Sequence, residues 1–172
     1  MQKKIHLIGQ KSLTKPSLLV KPHDIKKALL MAKEMLSIMQ EQNGVGLAAP
    51  QIGINKRIIT FGFKESLRYR NEKSIPFQVL INPEYKVIGN DLVEGWEGCL
   101  SIPGIRGLVR RFKKIEYTGI DENGFLIKKI ADGFLSRIIQ HEIDHLNGTL
   151  FLSRIHDTSH LIHESLIETV DI

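Results

Sequence analysis

The stretch IIQHEIDHLN, residues 138–147, sets two histidines four positions apart with a glutamate directly after the first. On an α-helix, positions i and i+4 lie on one face, so His141 and His145 aim two imidazoles at a single point. Such a point is suited to a metal ion, and Glu142 then stands beside it as a general base for an activated water rather than as a ligand. The competing reading is a pair of exposed histidines salt-bridged to Glu142 and Asp144, because HExxH fixes only three positions of five. Asp132 before the stretch and Gly148 after it supply an N-cap and a stop, which predicts a helix running to Asn147. The metal chemistry requires that helix.

Outward from this helix, short β-branched runs predict antiparallel strands: RIITFGF (57–63), VLINPEYKVIG (79–89), and KKIEYTGID (113–121) joined to FLIKKI (125–130) by the turn DENG. The polar KESLRYRNEKS (64–74) reads as a mobile loop. Residues 24–42, DIKKALLMAKEMLSIMQEQ, carry Ile25, Ala28, Leu29, Ala32, Met35, Leu36 and Met39 at helical spacing, with Asp24 as N-cap. The methionines there read as core filling. NGVGLAAPQIG (43–53) is too rich in glycine to continue the helix and reads as a loop with exposed backbone. A third helix is expected over roughly 157–169. Few helices and clustered strands give an α+β fold, with antiparallel sheets packed around the HExxH helix.

Composition narrows the setting. At 172 residues and 42% hydrophobic, the chain predicts one domain spanning 1–172. The N-terminal MQKKIHLIGQKSLTKPS has neither a signal-peptide core nor an Arg-rich presequence, and no apolar run reaches membrane-spanning length, so a cytoplasmic protein without a membrane site is expected. The net charge of +5 is scattered, which argues against a dedicated nucleic-acid site. The single cysteine, Cys99, cannot form an intrachain disulfide and is free for chemistry or metal binding.

A catalytic site of the zinc type needs three protein ligands and one open position. The continuation HExxHxxGxxH is excluded, because its last position is Phe151. Two sources of a third ligand remain: Glu164 or Glu168 from the tail, as in a metalloprotease, or the thiolate of Cys99 within EGCLSIPGIRG (97–107).

Three segments, GVGLAAPQ (44–51), EGCLS (97–101) and QHEIDHL (140–146), resemble the signature motifs of peptide deformylases in the same order and with similar separations. PGIRGLVRR (103–111) and the DENG hairpin are similar to that family as well. The resemblance implies that Cys99, His141 and His145 ligate one divalent metal, ferrous iron in the cell, with zinc or nickel accepted by the purified protein. It implies that Glu142 is the general acid and base, and that Gln51 and the backbone N–H of Leu100 bind the formyl oxygen. The implied substrates are N-formylmethionyl nascent peptides, cleaved to formate and a free N-terminal methionine. Gly46 is then where loop backbone pairs with the extended substrate. Val45, Phe134, Arg137 and Ile138 are placed at the methionine side chain, and Arg106 joins the substrate-binding set while pairing with Glu97 to hold the cysteine loop. Ordinary packing, or a solvent-screened pair, is the competing reading for each of these.

The chain departs from the family pattern at its ends. The usual Gly-Asp/Asn-Pro-x-Leu stretch corresponds to GQKSL (9–13), without the proline. The tail after Arg154 carries Asp157, Glu164, Glu168 and Asp171 and no Lys or Arg, so ribosome docking through it is not expected and any ribosome proximity is transient. A monomer is expected. The rival from another class is a metal-binding homologue whose cleft has been repurposed.

Overall fold

The computed structural model describes residues 4–66, 69 and 71–169. Helix α1 (Ile25–Glu41) buries Ala28, Ala32, Met35 and Met39 of the expected stripe, leaves Ile25, Leu29 and Leu36 half-buried, and buries Ile38, which the stripe did not include. Asp24 precedes it but makes no side-chain cap, because Pro22–Asp24 already form a 3-10 turn and Asp24 has helical backbone angles.

Two antiparallel sheets follow. The larger has the order β1 (Gly46–Ala48), β2 (Ile58–Phe63), β3 (Ile75–Val87), β6 (Lys114–Ile120), β7 (Leu126–Asp132). The smaller has the order β4 (Leu92–Cys99), β5 (Ile102–Phe112), β8 (Leu161–His163). The run IITFGF of β2 is buried throughout because it has apolar neighbours on both faces. Ile58 packs with Leu47, Val79, Ile81 and α1, whereas Ile59, Phe61 and Phe63 pack with Leu80, Tyr117 and helix α2 (Gly133–Leu146). A bulge at Gly62 fits only glycine, since φ is +127° and a Cβ would strike the Phe77 backbone.

Helix α2 touches strands of both sheets, and every residue from Ser136 to Leu146 is buried. This is not the amphipathic surface helix its pattern resembles, and exposed histidines on it are excluded. Gly148 ends it at φ +74° as expected, but Asp132 makes no side-chain cap.

Two other expectations are corrected. The GVGLAAPQ segment is a buried strand followed by a 3-10 turn (Ala49–Ile52), with Leu47, Ala48 and Ala49 fully buried, because β1 satisfies its backbone against β2. The tail forms no third helix. It makes a 3-10 turn (Thr158–His160), strand β8 against Ile105–Gly107, and another 3-10 turn (Glu164–Thr169), since the open edge of β5 takes the chain as a strand. The β4–β5 hairpin carrying Cys99 was not expected at all. In the loop 64–74, Leu67, Arg68 and Arg70 lie outside the described residues. Among the described residues, no helix is long and apolar enough to cross a membrane.

Candidate metal centre and cleft

Cys99 comes from the end of β4, and His141 and His145 from successive turns of α2. One ligand atom from each lies within 4.8 Å of the others. The Cys99 Sγ is 3.2 Å from His145 Nε2. The Nδ1 of His141 bonds Glu97 Oε2 at 2.9 Å, which leaves its Nε2 for the site, and such an outer partner fixes both tautomer and ring orientation.

Buried charge surrounds this cluster. Glu97 accepts two bonds from Arg111 and one from Arg137, and Arg111 also bonds Asp144, which Arg154 holds from the other side. Burial works against the Glu97 carboxylate, yet Arg111 and His141 hold its pKa below the usual range. Burial likewise opposes a charged His141, but Cys99 and Glu97 keep its pKa well above the ordinary imidazole value. His145 is pushed well below that value, first by burial and then by the positive charges of His141 and Arg111. One soft sulfur and two imidazoles, the His141 ring oriented by Glu97, fit a transition-metal dication.

Glu142 stands beside the three ligands. Its Oε2 is buried without a partner, and burial pushes its carboxyl up to about 7. Gly46 of β1 lies so close that a Cβ there would overlap the Glu142 carboxylate. Gln51 is oriented by its own turn: Ala48 N–H donates to its Oε1 at 2.8 Å. Its Nε2 therefore faces Cys99 Sγ at 3.4 Å and Ser101 Oγ at 3.2 Å. A cleft opens onto these groups, lined by Gln51, Cys99, His141 and Glu142 together with Gly46 and Leu100.

A family model described as polypeptide deformylase matches residues 2–160. The chain belongs to the polypeptide deformylase family. It is 49% identical over 124 residues to peptide deformylase 2 of Pseudomonas putida, covering 72% of this chain and 70% of that protein. With peptide deformylase 1 of Nitrosomonas europaea it shares 42% identity over 157 residues, covering 91% and 89%. Among solved structures, the Met-Ala-Ser-bound class I type b peptide deformylase of Acinetobacter baumannii superposes with a TM-score of 0.85 at 34% identity, covering 90% of this chain and 99% of that one. The actinonin complex of the Synechococcus elongatus peptide deformylase superposes with a TM-score of 0.78 at 39% identity, covering 91% and 80%.

The deformylase motifs thus meet in space, and the other residues expected to bind substrate divide into two groups. Val45, Phe134, Arg137 and Ile138 line the same cleft as the metal cluster. Arg106 does not line it. Its Nη1 donates to the Tyr69 hydroxyl at 2.9 Å, and Glu97 pairs instead with Arg111 and Arg137, because Arg106 and Glu97 are one residue out of step and so point to opposite faces of the β4–β5 ladder. Glu164 lies on the tail's 3-10 turn, and the metal-competent cluster contains no carboxylate; the Glu168 side chain is outside the described residues.

Sequence reasoning missed the network of Arg111, Asp144 and Arg154, as well as Ser101 and Tyr69. The doubled arginine at 110–111 was a signal for the first, but only strand alternation separates buried Arg111 from exposed Arg110. The N-terminal segment, despite lacking the proline, buries Leu13 fully and ties two motifs together through His6 N to Gln51 O and Ile8 N to Ser101 O.

Proposed function

We propose that this chain hydrolyses the formamide of N-formylmethionyl peptides, releasing formate and a free N-terminal methionine. The observation that carries the reading is the convergence of Cys99, His141 and His145 with an unpartnered Glu142 oxygen and the Gln51 amide in one cleft. Cys99 and the two histidines would hold one divalent cation, ferrous iron in the cell, with zinc or nickel accepted by the purified protein. The chemistry such a cation supplies is Lewis acidity, which makes a water acidic enough to lose its proton near neutral pH.

The protein's own groups account for the remaining steps. Glu142 takes the proton from water at its carboxylate and delivers it to the nitrogen of the departing amine. The formyl oxygen gathers negative charge as its carbon is attacked, and Gln51 Nε2 and the Leu100 N–H donate to it; one such donor is worth about a hundredfold or more in rate. Gly46 lies on the edge strand of the larger sheet, where an extended peptide can add through backbone hydrogen bonds. Val45, Phe134, Arg137 and Ile138 receive the methionine side chain, and Arg106 acts at one remove, through Tyr69. The chain works as a single catalytic domain, a monomer in the cytoplasm, meeting the ribosome only transiently through its substrate.

The test is formate release from N-formyl-Met-Ala-Ser by protein loaded anaerobically with ferrous iron, or with nickel. Rapid release supports the reading. A folded protein holding one metal per chain that releases no formate would favour the repurposed homologue.

A further inference from the structure

The cleft at the metal centre has a larger neighbour, a depression bordered by the β4–β5 hairpin, the start of α2 and the tail. The cleft is the smaller of the two. Among the described residues, Tyr69, Phe134 and Arg137 line both cavities, and these three side chains stand between them.

Two of the three are fixed by the core. Arg137 donates to the carbonyls of Val93, Gly95 and Val109 and to Glu97, and Phe134 packs edge-on against Phe63 at 6.0 Å. Tyr69 reaches in from the 64–74 loop, where its carbonyl accepts from Glu72 N at 3.1 Å. Its ring centroid is 4.6 Å from that of Phe134, its hydroxyl accepts from Arg106 Nη1, and the Arg106 guanidinium carbon lies 5.0 Å from the ring. Arg106 is itself only 3% exposed, so the tyrosine rests on a buried side chain.

We infer that Tyr69 is a specificity-determining wall: it closes the side-chain end of the cleft and excludes first residues bulkier than methionine. The inference rests on the deformylase reading and names the group that sets its substrate range. The wall is the ring, not the hydroxyl, because the ring is what separates the cavities. Truncation joins the cleft to the depression and gives a large aromatic side chain somewhere to go.

The experiment compares kcat/KM for N-formyl-Met-Ala-Ser and N-formyl-Trp-Ala-Ser in the metal-loaded wild type and in Tyr69→Phe, Tyr69→Leu and Tyr69→Ala. The wild type favours methionine. The methionine-to-tryptophan ratio stays within about threefold in Tyr69→Phe and falls by about tenfold or more in Tyr69→Ala, the scale on which apolar pockets discriminate by size. Tyr69→Leu lies between them and carries the test if the alanine variant does not fold. A ratio unchanged in both smaller variants overturns the inference, as does an equal fall on both substrates or a wild type without preference. A wild type that releases no formate from the methionine peptide fails the deformylase reading instead, so the two failures are distinct.

Discussion

Glu142 and Gly46 occupy adjoining space, and the fit leaves no room for a methyl group: a Cβ on residue 46 would overlap the carboxylate. Gly46→Ala should therefore displace the general base without touching a metal ligand. Formate release is expected to fall by about a hundredfold, the usual cost of a misplacement near 1 Å, while metal content stays at one per chain. Full activity in that variant would show that Glu142 is not held by this contact. At this scale the sequence was informative wherever chemistry imposes a spacing. Helix geometry put His141 and His145 on one face with Glu142 beside them but left exposed, salt-bridged histidines as a rival, and Cys99 entered beside Glu164 and Glu168 as a candidate third ligand. The outer partners were not readable in the same way. Glu97 was paired with Arg106 on proximity in sequence, whereas the pleat of β4 and β5 turns it toward Arg111, Arg137 and His141.

Elements were legible in proportion to how much of their own character decided them. Helix α1 and strands β2, β3, β6 and β7 follow from apolar spacing and β-branched runs. The β4–β5 hairpin does not, because the glycines in EGWEGCLSIPGIRG argue against strands by composition. Their reason is tertiary. A Cβ at Gly95 would press on the Arg137 guanidinium, and one at Gly98 on Arg106, so the small residues leave room for buried arginines. The tail failed for a related reason: its spacing suits a helix, but the open edge of β5 claims Leu161–His163 as a strand. The hairpin and α2 are joined by Arg111, which bridges Glu97 and Asp144 with its side chain only 5% exposed. Removing one member of a buried charged group costs about 3–5 kcal/mol, because its partners stay charged and buried. Arg111→Met should lose up to about that much unfolding free energy in urea, and Arg110→Met, at an exposed pair with Glu94, less than about 1 kcal/mol. Equal losses would mean that the network does not tie the two elements together.

Across the whole molecule, the three ligands bridge the smaller sheet and the helix seated between the sheets, so a metal held there adds a further link beside the buried charge network that joins them. Metal at about a hundred times its Kd should stabilise the folded state by about 2.7 kcal/mol, which for a chain of this size is about 5–10 °C in Tm. Chelation should reverse the shift, and Cys99→Ala should abolish it; a Tm indifferent to metal would place the ion elsewhere. The same architecture separates holding the metal from using it, since Glu142 lies beside the ligand cluster and is not one of its members. The most direct measurement is therefore metal content and formate release from N-formyl-Met-Ala-Ser on one preparation of Glu142→Gln beside the wild type. One metal per chain in both proteins, with hydrolysis lost by about a hundredfold or more in the variant alone, is the expected result. Loss of the metal from the variant, or undiminished formate release, would contradict it.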